Sequence, residues 1–218
     1  MLRRTSWAQA LSAEDFARAR EGTIERLVPS GGYVCRKGEP VDHWHGVIEG
    51  LVKMSSDWLT GKTASFTGIA AGGWFGEGSV LKDEPRRYDM VALRDSRIAC
   101  MRRETFHWLL DHNIAFNRFV INQINERLGL FIGLLESHRL LDADARVART
   151  MAALFHPVLQ PGIESRIAIS QEEIGLLAGV SRQRVNRSMQ TLEKSGFLVA
   201  KYGGVTVLDL DGLRRFGG

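Results

Sequence analysis

A cluster of four polar side chains has the hydrogen-bonding groups needed to recognise nucleic-acid bases. The residues fall within six positions of each other, on one face of a predicted amphipathic helix. Arginine can donate two hydrogen bonds to guanine, and asparagine or glutamine can pair with adenine in the same two-pronged way. A helix about 10 Å wide also fits the major groove of DNA. The pattern therefore predicts base contacts from Arg182, Gln183, Asn186 and Arg187.

Two short helices and a turn are needed to position this face. The first helix is predicted to begin at Ser170, because Glu173 follows at the capping-box spacing, and to end at Gly179. Ser181 can cap the second helix through its hydroxyl group. Beyond that helix, Gly203-Gly204 separates two apolar segments and suits a tight hairpin turn. The stretch therefore predicts a helix-turn-helix followed by a β-hairpin wing.

The same stretch concentrates positive charge. Five basic residues and a lone acidic residue, Glu193, lie between positions 182 and 201. An ordinary helical hairpin with a solvated basic face is the alternative, but such a face would require neither the capped turn nor the wing. Basic and hydroxyl side chains beside a recognition helix bind backbone phosphates. Phosphate contacts are therefore predicted for Ser181, Arg184 and Lys201.

The rest of the chain offers no competing chemistry. Its net charge of +4 is compatible with DNA binding but does not prove it. Cys35 and Cys100 are far apart and match no zinc or iron–sulfur spacing, so we expect neither a metal site nor a disulfide framework. No nucleophile–base set or P-loop indicates an enzyme. The first residues hold no apolar signal segment and no stretch is long enough to span a membrane, so a cytoplasmic protein is expected.

Four regions are predicted along the chain, in an α+β arrangement. Residues 1–20 form a short helical lead. Residues 21–112 alternate short apolar segments with glycine turns such as Thr60-Gly61-Lys62, which predicts an antiparallel β-roll of the jelly-roll type. Residues 113–140 form a long helix, and residues 141–218 contain the helix-turn-helix and its wing.

A glycine-rich segment of the predicted β-roll has groups that could hold an anion. Glycines let a ligand approach the backbone closely, and an arginine can neutralise a phosphate or carboxylate through two hydrogen bonds. Gly76, Glu77 and Arg87 supply these groups. The alternative is that Glu77 and Arg87 form an internal ion pair while Gly76 only turns the chain. The residues alone leave both interpretations open.

The long helix carries apolar residues at alternating intervals of three and four positions. Such a pattern over about three heptads is typical of a two-stranded coiled coil. A single core helix buried on two sides is the alternative, but a helix-turn-helix commonly reads symmetric half-sites as a pair. A homodimer is therefore predicted, with an interface formed by Ile121, Ile124, Leu128, Phe131, Leu135 and His138.

Three stretches resemble the cyclic-AMP receptor protein/fumarate-nitrate regulator (CRP/FNR) family of bacterial transcription factors. They are residues 75–81 with the following Arg86-Arg87, residues 141–148, and residues 169–207, of which the last is the most specific. The resemblance implies a homodimer with an effector-sensing β-roll, a dimerisation helix and a C-terminal winged helix in each subunit. It also implies a hinge near residues 141–144, binding to palindromic promoter DNA, and contact with RNA polymerase.

The resemblance gives a mixed prediction for the effector. Relatives that bind cyclic nucleotides use a Gly-Glu pair, an Arg-Ser pair and a Thr-Ser pair on the long helix. Here the bulky Tyr88 replaces that serine, and the apolar Phe131 and Ile132 replace the hydroxyl pair. Cyclic AMP is therefore disfavoured, and an iron–sulfur cluster is not expected because the N-terminal cysteines of that branch are missing. The implied effector pocket consists of Gly76, Glu77, Arg87, Tyr88, Phe131 and Ile132.

Three alternatives stand beside a regulator controlled by an unidentified small effector. One is a cyclic-AMP-responsive regulator. Another is a DNA-binding protein that needs no effector, because Tyr88 and Phe131 fill the pocket. The third, from a different class, is a nucleotide-gated regulatory subunit, which would have no reason to carry a capped basic helix and a wing.

The base-reading face departs from the family pattern at one position. Gln183 stands where many members have glutamate, and an amide can pair with adenine but cannot accept from cytosine as a carboxylate would. Arg182 and Arg187 match base-reading positions of the family and favour guanine. The expected half-sites therefore contain guanine but differ from the usual TGTGA or TTGAT at the position read by Gln183.

Overall fold

The structure is a computed structural model that describes residues 2–57, 63–201 and 203–217. The turn predicted at residues 60–62 lies outside the described residues, and so does the side chain of His138. No helix within the described ranges is long and apolar enough to cross a membrane.

The N-terminal lead anchors itself on the β-roll through one tryptophan. A 3-10 turn at Leu2–Arg4 precedes helices α1 (Ser6–Gln9) and α2 (Ala13–Glu21). Trp7 of α1 is fully buried, and its ring lies 5.7 Å from Trp44 and 5.4 Å from Trp74 between centroids. The first residues are therefore part of the core.

Two four-stranded antiparallel sheets form the β-roll, as the even spacing of short strands predicts. Apolar side chains from both sheets face each other across the roll and fill its interior. The first sheet consists of β1 (Thr23–Val28), β8 (Ser96–Arg102), β3 (His43–Glu49) and β6 (Trp74–Phe75), in that order. The second consists of β2 (Tyr33–Cys35), β7 (Asp89–Ala92), β4 (Leu51–Asp57) and β5 (Thr63–Ala70).

A series of helices leads from the roll to the C-terminal domain. Helix α3 (Glu77–Lys82) follows β6, α4 (Arg103–His112) follows β8, and the long α5 (Ile114–Leu140) runs to the predicted hinge. Asp142 then caps α6 (Ala143–Leu154) by accepting a hydrogen bond from the Ala145 amide at 2.9 Å.

The C-terminal domain packs three helices and α6 against a small antiparallel sheet. Its strands are ordered β10 (Leu198–Lys201), β11 (Gly204–Val207) and β9 (Arg166–Ile167). Its helices are α7 (Gln171–Ala178), α8 (Arg182–Lys194) and α9 (Leu210–Arg215).

The C-terminal domain docks on the edge strand β5 of the roll. The Gln160 side chain donates to the Gly68 carbonyl and accepts from the Ala70 amide, both at 2.7 Å, much as a neighbouring strand would. Glycine at position 68 lets the two domains approach this closely, because a β-carbon there would lie 2.9 Å from Leu154 and from Leu177. Leu51 and Ala70 of the roll therefore belong to the same apolar cluster as the core of the C-terminal domain.

Candidate nucleic-acid interface and effector site

Local capping fixes the orientation of the two helices of the helix-turn-helix. Ser170 and Glu173 form a reciprocal capping box at the start of α7, as predicted from their spacing. Helix α7 ends at Gly179, which adopts the left-handed conformation predicted there. The Ser181 hydroxyl accepts a hydrogen bond from the Arg184 amide at 3.3 Å and caps α8. The turn that sets the angle between α7 and α8 is thus built from side chains recognisable in the sequence.

Helix α8 presents its polar face to solvent. Val185, Met189 and Leu192 bury the opposite face in the domain core. Neither Arg182 nor Arg187 forms an ion pair with any described residue. Both guanidinium groups are therefore available to an external acceptor. The exposed face lines a shallow depression formed by Gln171, Arg182, Gln183, Asn186, Arg187 and Gln190.

Two glutamines that the sequence analysis did not select belong to this surface. The Asn186 amide donates to the Gln171 side chain at 3.3 Å and accepts from the Gln190 side chain at 3.2 Å. Asn186 is thus held on both sides. Gln190 follows Asn186 by one helical turn, which was a signal available in the sequence. Gln171 comes from α7, and only the tertiary arrangement brings it here.

The three residues predicted to bind phosphate occupy different environments. Lys201 is exposed on the wing. The Ser181 hydroxyl lies at the start of α8 as its cap. Arg184 corrects the prediction, because its guanidinium forms an ion pair with Asp144 of α6 at 2.8 Å. The Ser188 hydroxyl also donates to that carboxylate, at 2.5 Å. Arg184 therefore ties α8 to α6, and its guanidinium is not unpaired like those of Arg182 and Arg187.

The acidic residue of the predicted effector pocket is neutralised within the chain. Glu77 begins α3 immediately after Gly76, whose φ of 89° is left-handed. Its carboxylate is 4% exposed and pairs with the Arg127 guanidinium of α5 at 2.8 Å. Arg127 also donates to the Trp74 carbonyl at 2.7 Å, which fixes the pair against the roll.

Of the two adjacent arginines, the buried one is not the one that the sequence analysis selected. Arg87 is exposed and forms two hydrogen bonds with Glu84, at 2.8 and 3.0 Å, so its guanidinium pairs with Glu84 and not with Glu77. Arg86 is 3% exposed and donates to the carbonyls of His43 and Gly76. The buried guanidinium of this segment is therefore Arg86, one position before the predicted residue.

The remaining pocket residues do not form a polar ligand site. Tyr88 and Phe131 pack against the apolar core of the roll. Burial raises the pKa of Tyr88 to about 12, so its phenol stays neutral near pH 7. Ile132 points away from the roll and is 51% exposed, which corrects its assignment to the pocket. Two of these three residues therefore pack within the chain, and the third is exposed.

An exposed apolar stripe runs along α5, although its membership differs from the prediction. Phe131 faces the roll, so it cannot belong to an outward face. Ile132 takes its place. The five apolar residues of this exposed stripe are between 40 and 63% exposed: Ile121, Ile124, Leu128, Ile132 and Leu135.

One buried histidine beside Arg86 makes stability depend on pH. His45 is 5% exposed, and its Nδ1 atom lies 3.3 Å from the Arg86 guanidinium. Burial holds the pKa of His45 well below its usual range, and Arg86 lowers it further. In the unfolded chain the His45 side chain binds a proton as the pH falls through about 6.5, whereas in the folded chain it stays neutral at that pH. Folding stability should therefore fall as the pH drops below about 6.5, by up to about 1.4 kcal/mol per pH unit for this residue.

This prediction is checked by urea unfolding between pH 7.5 and 5. The His45→Gln variant keeps a hydrogen-bond acceptor for Arg86 but cannot titrate, so its stability should fall less steeply with acid. His112→Gln, at an exposed position of α4, serves as the matched control. Equal slopes for the wild type and His45→Gln would show that His45 does not carry this dependence.

Comparison with known families accounts for both halves of the chain. The model of the cyclic nucleotide-binding domain matches residues 25–113, which include the β-roll. The model of the Crp-like helix-turn-helix domain matches residues 145–216, which include α7, α8 and the wing. The chain belongs to the CRP/FNR family. It is therefore a transcription regulator with a cyclic-nucleotide-binding-type domain and a DNA-binding helix-turn-helix, as the sequence predicts.

The similarity to other CRP/FNR proteins extends along nearly the whole chain. The cyclic AMP receptor protein of Thermus thermophilus is 28% identical over 203 residues, or 90% of this chain and 88% of the relative. The CRP-like cAMP-activated global transcriptional regulator of Mycobacterium tuberculosis is 26% identical over 191 residues, or 86% and 85%. The FixK2 structure from Bradyrhizobium japonicum shares the fold, with a TM-score of 0.73 at 15% identity over 90% of this chain and 98% of FixK2.

Proposed function

We propose that two copies of this chain bind a palindromic promoter site, with one α8 in each of two successive major grooves. The observation that carries this proposal is the exposed face of α8, where Arg182 and Arg187 form no ion pair with any described residue. Unpaired arginine in a groove-sized helix is suited to guanine. Such a regulator would act in the cytoplasm, where promoter DNA and RNA polymerase are found.

The exposed stripe of α5 supports the dimer. Five large apolar side chains on one face of a helix favour association with a second apolar surface. Pairing of α5 with its copy would bury this stripe and relate the two α8 helices by a twofold axis. Dimeric helix-turn-helix proteins read half-sites whose centres are about one helical turn apart.

For the β-roll, we infer that cyclic AMP is not held by the groups its family uses. Glu77 is already paired with Arg127, and Arg87 points to solvent. Tyr88 and Phe131, which stand where the family has hydroxyl side chains, pack against the apolar core of the roll. The relatives named for cyclic AMP therefore do not decide the effector of this chain, and the effector remains a separate question from DNA binding.

Selection from random-sequence DNA tests the proposed function. The full chain should enrich palindromic sites with guanine in each half-site, and these should differ from TGTGA at the position read by Gln183. A matched selection with the Arg182→Gln/Arg187→Gln variant should enrich no such motif, because the guanine-binding groups are gone. Enrichment of an unaltered TGTGA half-site would contradict the role of Gln183, and failure to enrich any motif would contradict the function itself.

A further inference from the structure

A groove of about 460 Å³ lies between the second half of α5 and α6, next to the hinge. Arg214 of α9 closes one side of it. None of the exposed stripe residues of α5 lines the groove, so a dimer formed along that stripe would leave it accessible. Its size falls within the range of small-molecule sites in proteins.

Two glycines of α5, which have no side chains, line one wall of the groove. Gly129 and Gly133 occupy the middle of α5, where each weakens the helix relative to alanine. A β-carbon at either position would meet no atom within 4 Å. Packing within the described chain therefore does not require glycine here. Their effect is to widen the groove, whose apolar floor includes Leu130, Leu134, Ala152 and Ala153.

Arg149 of α6 lines this groove and is partly exposed. The Nε atom of Arg149 is buried and makes no hydrogen bond with any described residue. Arg149 also forms no ion pair within the described ranges. Among the described residues, Arg214 on the nearby α9 forms an ion pair with Asp211 at 3.1 Å, a half-exposed contact that is easily exchanged.

The acidic side chains of the groove do not satisfy Arg149. Glu126 faces the Nε2 atom of His156 at 3.4 Å. The Nδ1 atom of His156 accepts from the backbone amides of Val158 and Leu159, which fixes Nε2 as the protonated nitrogen. Glu136 is exposed at the rim of the groove. A partly exposed guanidinium, whose Nε atom is buried beside apolar side chains, therefore has no acidic partner among the described residues and can pair with an anion from outside the chain.

We propose that this groove binds a small organic carboxylate with an apolar body, and that the bound acid changes operator affinity. The carboxylate would pair with Arg149, while its apolar part lies over Gly129 and Gly133. Because α5 and α6 flank the hinge, a ligand that touches both favours one angle between them. That angle sets where α8 points, so the acid is coupled to DNA binding. This inference rests on the proposed DNA-binding function.

Titration calorimetry on the full chain tests the site with phenylacetate and octanoate as probes. At least one acid should bind saturably, with one molecule per chain, while the neutral phenylacetamide and octanamide should not bind. Arg149→Gln removes the charge, and Gly133→Leu fills the groove from a position with open space around it. Each variant should weaken binding at least about tenfold. Arg118→Gln, which removes an exposed charge at the start of α5, should leave binding unchanged.

Fluorescence anisotropy on the selected operator supplies the second readout. Operator affinity is measured first without acid, because a failure there would contradict the proposed function and not the groove. A saturating acid should then shift operator affinity about fivefold or more in the wild type, and not in Arg149→Gln. The inference would be overturned if neither acid bound at millimolar concentration, if binding survived either groove substitution, or if bound acid left operator affinity unchanged.

Discussion

Replacing Arg187 with alanine should weaken operator binding by about 1–3 kcal/mol at each half-site, or about 5- to 150-fold. Arg187 is exposed on the face of α8 and has no ion-pair partner among the described residues, so its guanidinium is free to bind guanine. A dimer carries the substitution twice, and the losses at two separated half-sites should add. Fluorescence anisotropy on the selected operator measures the effect.

The specificity of this effect distinguishes base reading from simple charge loss. The Arg187→Ala variant should also tolerate replacement of the contacted guanine, which the wild type should reject. Lys194→Ala is the matched control, because it removes one exposed positive charge from the last turn of the same helix. A loss in Lys194→Ala as large as in Arg187→Ala, or undiminished discrimination by Arg187→Ala, would assign Arg187 to a general electrostatic role.

Replacing Arg127 with leucine should lower the free energy of unfolding by about 3–5 kcal/mol. The Arg127 and Glu77 side chains are 12 and 5% exposed, and the buried Glu77 Oε2 atom has no hydrogen-bond partner among the described residues. Without Arg127 the buried carboxylate would have no compensating charge. Urea unfolding with an unchanged m-value measures the loss. The Arg127→Ala variant should lose nearly as much stability as Arg127→Leu.

Two further variants test the physical cause. Glu77→Gln/Arg127→Leu removes both charges and should recover a large part of the stability, because no unpaired charge remains buried. Arg97→Leu breaks a pair with Glu25 whose side chains are 45 and 44% exposed, and should cost much less stability than Arg127→Leu because solvent screens this pair. If Arg127→Leu cost no more than Arg97→Leu, the Glu77–Arg127 pair would not organise the roll.

The helix-turn-helix could be predicted well because its signals are local. A capping box depends on residues three positions apart, and Ser170 and Glu173 form it as predicted. Ser181 caps α8 for the same reason. The antiparallel roll was also predictable, since short strands and turns follow from the alternation of apolar residues and glycines.

The side chains that differ from prediction depend on contacts distant in sequence. Arg86 points inward because it donates a hydrogen bond to the carbonyl of His43 on β3. His43 is distant in sequence, so the residues next to the two arginines do not indicate which one is buried. The heptad prediction failed at Phe131 because a straight helix drifts about 20° per heptad relative to a 3.5-residue repeat. Over the length of α5 this drift moves Ile132 into the exposed stripe and turns Phe131 toward the roll.

Methylation interference on the selected operator tests the central claim most directly. A methyl group at guanine N7 occupies the atom that an arginine of α8 would contact in the major groove. We predict interference at guanines in two half-sites related by a twofold axis, with centres about 10 base pairs apart. Interference confined to one half-site, or guanines that can be methylated without loss of binding, would contradict paired readout by α8.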